Sequence, residues 1–386
     1  MQQQASLSEH RTCTRCVLDS SVPGIQFSEQ GVCNHCALYD RLQSRYALDE
    51  KAKRKFEHLL AAIKASGRNK QHDCVIGLSG GTDSSYCVYM AKKLGLRPLV
   101  VHFDNGWVSE PARQNIEKIV HALQVDLRVV RHEWAELKEY YLAGLKASVP
   151  DICMACLVGI SSSLYRVAAE ESIRYILLGT SFRTEGLTPA RWGYMDGRYF
   201  DDVVRLFGGP GARLKTFNRT HLFDLFRYIM FKRIRTVQLP LYIPYRDQEI
   251  RKLLTSELGW QYGGKHHFDC RFKPFLSFIH AHKFSIDYRK IPMSALVRAG
   301  EVTRQDALAA LAANAKADAS AEVAYVLNQL GMTPGELRTL LEERPRNFLD
   351  YRNYHSFLRF FAPVAKVLGK LHLVPETLYE RYFKLV

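Results

Sequence analysis

One stretch constrains this chain more than any other: His72 to Gly95, HDCVIGLSGGTDSSYCVYMAKKLG. An apolar strand runs into a glycine turn, and a helix starts at once. Backbone N–H groups and the helix dipole at such a junction favour an anion, and glycines let a phosphate approach the backbone. A Walker loop would add a lysine to reach the β- and γ-phosphates. Here Ser79, Gly80, Gly81, Thr82, Asp83, Ser84 and Ser85 offer hydroxyls and amides instead. That set suits a pyrophosphate leaving group, hence cleavage between the α- and β-phosphates and transfer of AMP to an oxygen. The alternative is a tight junction that binds nothing.

The surrounding text fits a nucleotide fold. After the loop, RPLVVHF reads as a strand, PARQNIEKIVHALQ as a helix, DLRVVRH as a strand, 133–147 and 152–172 as helices, and RYILLGTS as another strand. Strands alternating with helices predict an α/β doubly wound parallel sheet. Upstream, ALDEKAKRKFEHLLAAIKASG has helical spacing and a closing Gly67. From about 186 to 246 the text turns aromatic, glycine- and proline-rich, and the last third reads as helical. Thr333, Pro334 and Glu336 there form a capping box, whereas Thr303 with Asp306 reads as a plain cap. The division expected is a cysteine knuckle over 1–45, a linker helix over 46–70, the nucleotide domain over 71–245 and a helical region over 246–386.

Nine cysteines occur. CTRC and CNHC place Cys13, Cys16, Cys33 and Cys36 at the spacing of a four-thiolate zinc knuckle. The turn-rich text between the pairs cannot build a core, so metal would supply its folding energy. His35 is expected outside the ligand set. With no secretory signal core, a cytoplasmic address and metal use of paired cysteines are expected, not disulfides. No run of apolar residues suggests a membrane span, and no membrane partner is expected. The net charge of +15 suits nucleic acid, nucleotides, sugar phosphates or an acidic protein equally.

SGGTDSS resembles the SGG-x-DS loop of the PP-loop ATP pyrophosphatases, a HUP-like fold; the fourth position, lysine in many related loops, is Thr82 here. CTRCVLDSSVPGIQFSEQGVCNHC, LKASVPD, SFRTEG, YGGKHHFDCRF, KFSIDYR and GEVTRQDAL resemble, in that order, segments of the N-acetyl sugar amidotransferases of the WbpG and PseA type. The resemblance implies that ATP and Mg²⁺ adenylate an acetamido carbonyl of a bacterial surface sugar, or of its nucleotide, and that ammonia displaces AMP. It places His102, Asp104, Asn105, Gly179 and Thr180 beside the loop as further ATP-site residues, with Asp104 and Asn105 equally readable as turn formers. Asp83 would help hold Mg²⁺, and Lys265 and Arg183 would stabilise phosphate charge. Arg183, Thr184, Glu185 and His266 would face substrate; a salt-bridged loop and a solvated turn at 265–267 are the bland alternatives. The chain has no G-x-C-x-G glutaminase elbow, and Met1-Gln2 offers no N-terminal cysteine nucleophile. A HisH-like glutaminase and a HisF-like protein are therefore expected to supply ammonia.

The rival is a PP-loop tRNA thiolase, which would bring in nucleic acid. Its mark would be Cys153, Cys156 and Cys270, three thiolates that can bind three irons of a 4Fe–4S cluster and leave the fourth iron open. Free cysteines also pack as small apolar residues in cores. Both readings of these three stay open on sequence.

Overall fold

The computed structural model describes residues 11–264, 269–314, 320–363 and 376–383. Runs of β-branched and apolar residues set its centre. Cys74–Gly77 (β1), Pro98–Asp104 (β2), Asp126–Arg131 (β3), Tyr175–Leu178 (β4) and Arg235–Gln238 (β5) form one parallel sheet in the order β3-β2-β1-β4-β5. Side chains alternate between its faces, as strand geometry requires. Cys74, Ile76 and Val100 enter one core, whereas Val75, Leu99 and Val101 enter the other.

Asn34–Arg45 (α1) and Glu50–Ser66 (α2) precede the sheet. Thr82–Lys93 (α3) and Glu110–Leu123 (α4) cover the first face. Beyond Trp134–Lys146 (α5), Met154–Glu170 (α6) covers the second. The chain moves outward from β1 to β3, then returns to the other side of β1 to lay down β4. A crevice therefore opens between β1 and β4 at their carboxyl ends, where ligands of doubly wound sheets bind.

Gly197–Phe207 (α7) and Leu222–Phe226 (α8), which continues as a π-turn over Arg227–Phe231, lie in the stretch read from sequence as irregular. Asp247–Leu258 (α9) then packs Ile250, Leu254 and Leu258 into the core of α3 and α4. The α/β packing unit thus reaches Trp260, past the expected boundary at 245. Lys273–Phe284 (α10), Lys290–Ala299 (α11), Arg304–Asn314 (α12), Ser320–Leu330 (α13), Pro334–Glu342 (α14), His355–Phe360 (α15) and Glu376–Phe383 (α16) make up the helical remainder. Of these, α10, α13 and α14 share a core with α5 and α7. The α14 capping box is present: Thr333 N–H donates to Glu336 Oε2 at 2.7 Å and Glu336 N–H to Thr333 Oγ1 at 3.2 Å. No helix among the described residues is long and apolar enough to cross a membrane.

Candidate active site

The glycine loop lies at the mouth of the crevice. Gly80 takes φ +85°, and a Cβ there would lie 2.3 Å from the carbonyl oxygen of Ala112, so only glycine fits. Its own carbonyl is held by Trp260 Nε1–H at 3.0 Å and Asn115 Nδ2–H at 3.2 Å. Buried Asn115 also exchanges two hydrogen bonds of 2.8 Å with the backbone of Gln261. Inside the loop, Ser79 N–H donates to Ser84 Oγ at 3.1 Å, and Ser85 Oγ–H donates to the Gly81 carbonyl at 2.6 Å. Hydroxyls thus fix the shape of the loop, and its amides at the start of α3 are the groups fit to hold an anion. A Cβ on Gly179 would lie 2.5 Å from the Asp83 carbonyl oxygen, which explains why the β4 loop carries glycine where it meets α3.

Behind the loop two carboxyls face each other. Asp83 accepts from Tyr245 Oη and shares a hydrogen bond with Glu185. Burial pushes Asp83 up to about 6, with the charge of Asp247 adding to the shift. Burial, and then the charge of Asp83, push Glu185 up to about 8. Asp269 stands close, its Oδ2 3.2 Å from where a Gly81 Cβ would be, and Lys273 partly offsets the negative field at Glu185. Buried like charges this near need a shared proton or a cation between them. Glu185 was read from sequence as a substrate contact. Tyr245, Asn115 and Trp260 carry no motif that marks them, and Asp269 lies in YGGKHHFDCRF, which does not single it out.

Other expected site residues divide. His102 is buried with Nδ1 2.8 Å from the Leu78 carbonyl oxygen, tying β2 to the end of β1. Thr180 accepts from Gln238 Nε2 at 3.2 Å, and Gln238 in turn accepts from Thr377 of α16 at 2.9 Å. Asp104 accepts from Gly106 N–H at 3.2 Å and pairs with Arg131 at 3.3 Å, the turn-former reading. Thr184 is buried with its hydroxyl 3.5 Å from the Ser181 carbonyl oxygen. Arg183 departs from its expected part. It is buried and donates to Gln43 Oε1 at 2.8 Å and to the carbonyls of Pro240 at 3.0 Å and Tyr46 at 2.6 Å. Its fork joins the end of α1 to the segment after β5, leaving the phosphate-stabilising and substrate-facing roles without support. Lys265, His266 and His267 lie outside the described residues.

Cys156 and Cys270 meet at Asn105, and Cys153 lies close enough to feel both. Val108 and Cys270 form an antiparallel bridge, which folds the segment after Asp269 onto the end of β2. Asn105 Nδ2 reaches Cys156 Sγ at 3.2 Å and Cys270 Sγ at 4.0 Å, while its Oδ1 accepts from Trp107 N–H at 2.9 Å. Burial raises all three thiols, Cys270 to about 12. Neutral, partly buried thiols account for this arrangement as well as a cluster does.

Cys13, Cys16, Cys33 and Cys36 are fully buried, and their sulfurs lie within 4.8 Å of one another. Sγ separations of 3.9, 3.7 and 3.7 Å match the edge of about 3.8 Å set by a tetrahedral ion with metal–sulfur bonds of about 2.3 Å. Hydrogen bonds from Cys33 and Cys36 hold the Cys16 thiol well below its usual value, with Arg298 adding to the shift. Four buried sulfurs with one favoured as thiolate are a set that a metal completes. His35 stays out of it, buried, with burial lowering it to about 4. The knuckle is docked, because Arg304 donates to the carbonyls of Cys13 at 2.9 Å and Cys16 at 3.1 Å.

A lysine-free glycine loop at the β1/β4 crevice of a parallel sheet ordered 3-2-1-4-5 is the arrangement expected of the PP-loop ATP pyrophosphatase fold. Family profiles agree: the queuosine biosynthesis protein QueC matches residues 73–156, and the LPS biosynthesis protein WbpG-like C-terminal domain matches residues 265–365. Over those two stretches the chain is similar to a PP-loop protein and to the WbpG-like C-terminal domain. No curated protein matches it. Similar solved structures include the tRNA thiolase NcsA from Methanococcus maripaludis with its 4Fe–4S cluster, at 17% identity over 83% of this chain and 98% of that one, TM-score 0.30. The NMN synthetase of Francisella tularensis is 14% identical over 66% of this chain and 94% of its own, TM-score 0.31.

Proposed function

We propose that this protein is an AMP-forming amidotransferase that converts the acetamido group of an N-acetylated bacterial surface sugar, free or nucleotide-linked, into an acetamidino group. The observation that carries the reading is the position of Asp269. It opens the described part of the WbpG-like region and lies against Gly81, which supports a site shared between the glycine loop and that region. An amide carbonyl is a poor electrophile. When its oxygen attacks the α-phosphorus of ATP, pyrophosphate leaves into the amides of Ser79–Ser85, and the product is an O-adenylated imidate. Ammonia adds to the imidate carbon, AMP departs with the former carbonyl oxygen, and loss of a proton leaves the amidine. Asp83, hydrogen-bonded to Glu185, would help hold Mg²⁺, which would supply charge neutralisation at the phosphates. Zinc is the ion proposed for the knuckle, whose four thiolates hold the N-terminal segment together. A separate HisH-like glutaminase, with a HisF-like protein, would supply the ammonia.

The test incubates protein, ATP, Mg²⁺ and ammonium with N-acetylated sugars and their nucleotides. The product is expected to be lighter by the difference between an oxygen atom and an NH group; no such shift with any acetamido sugar would contradict the reading. A second reading, a thiolase with a 4Fe–4S cluster, rests on the meeting of Cys156 and Cys270 at Asn105, with Cys153 nearby. Brown, iron- and sulfide-containing protein from anaerobic purification would favour it.

A further inference from the structure

We propose that the face carried by α8, its π-turn and α15 is a docking surface for an anionic lipid bilayer. Phe223, Phe226 and Met230 recur at helical spacing on one side of the segment, and Phe231 extends it. These are not half-hidden core residues: Phe223 is 75% exposed, Phe231 73% and, on α15, Phe360 80%. The opposite side of the same segment is packed, with Tyr228 stacked on Tyr165 at 5.6 Å. The two helices start beside each other, where His221 Nδ1 lies 3.2 Å from Tyr354 Oη. Large apolar side chains gathered on a surface mark an interaction site, whereas scattered ones are ordinary.

Charge selects the occupant. Arg227, Lys232, Arg233 and Arg235 are exposed among or just beyond the phenylalanines. The one acid between 222 and 235, Asp224, is engaged, accepting from the His221 N–H at 3.1 Å. Aromatic and aliphatic side chains beside guanidinium and ammonium groups are what an interfacial helix presents to anionic headgroups. Position argues against the ammonia-delivering protein as occupant. Such a partner must open at the carboxyl edge of the sheet. This segment leads through 232–234 into the start of β5, so it runs down the flank towards the amino edge. The expectation of no membrane partner rested on the lack of a long apolar run, a test that a one-sided surface patch does not trigger.

The full-length protein is mixed with vesicles of phosphatidylcholine alone or with added phosphatidylglycerol, and flotation measures the bound fraction. Binding is expected only to phosphatidylglycerol vesicles, weakening as salt rises. Phe223→Ser with Phe231→Ser and Phe360→Ser, and separately Lys232→Glu with Arg235→Glu, are each expected to weaken it about tenfold or more, with far-UV circular dichroism unchanged. Equal binding to both vesicle types, no binding to either, or variants that float like the parent would overturn the proposal. Shielding of Phe223 and Phe231 from covalent footprinting by a glutaminase but not by vesicles would assign the face to a protein and equally overturn it.

Discussion

Asp83 and Glu185 concentrate the electrostatic cost of the site in two side chains. Unfolded, both titrate near their ordinary values of about 4. Folded, they hold protons up to about 6 and about 8. The native state therefore binds more protons across that window, and their contribution to stability falls as pH rises through it. Buried His35 and His280, each lowered to about 4 by burial, act in the opposite sense, but only below about 6.5, where an unfolded histidine takes up its proton. Between pH 6.5 and 8.5 the melting temperature without Mg²⁺ is thus expected to fall. Glu185→Gln should flatten that fall, and a profile identical to the parent would refute the paired-carboxyl description. Arg183 belongs to the same scale with the opposite meaning. Its removal takes away the guanidinium hydrogen bonds to Gln43 and to the carbonyls of Tyr46 and Pro240, a loss on the order of 3 kcal/mol. Arg183→Ala should lower the denaturant midpoint while ATP still binds the surviving folded protein; a catalytic role would instead show as lost turnover at unchanged stability.

At the scale of elements, legibility followed burial. β1, β2 and β4 announced themselves because strands covered on both faces are nearly continuous apolar runs. β5, RTVQ, did not, because an edge strand with one neighbour needs no such run; the aromatic text around it also hid α7, whose apolar residues face α5. The glycine loop and the four-cysteine knuckle were readable because each is a local pattern. The clamp of Asn115 and Trp260 and the place of Asp269 were not, since they come from segments far apart in sequence, and Arg183 misled because a strand-end arginine reads alike whether it meets phosphate or carbonyl. The knuckle itself is open to test. Cys13→Ser, or chelation of the parent, is expected to lower bound metal and melting temperature together. Arg304→Ala should loosen the knuckle without removing its metal. Metal content unchanged in Cys13→Ser would contradict the four-thiolate site.

Over the whole molecule, the proposed nucleotide site would draw on three parts of the chain: the loop after β1, the carboxyl pair spanning α3 and the β4 loop, and the start of the WbpG-like region. Ammonia has no source within the chain that its motifs reveal, so ammonium salts should support turnover by the protein alone, and glutamine should do so only with a glutaminase added. Turnover with glutamine by the lone chain would contradict that division of labour. The most direct measurement of the central claim is the fate of ATP during turnover with an N-acetylated sugar and ammonium, followed by phosphorus NMR or chromatography of the nucleotides. AMP and pyrophosphate are expected in step with amidine, and both should vanish in Asp83→Ala; ADP and inorganic phosphate in their place would mean that the loop does not hold a pyrophosphate leaving group and that the carbonyl is not adenylated.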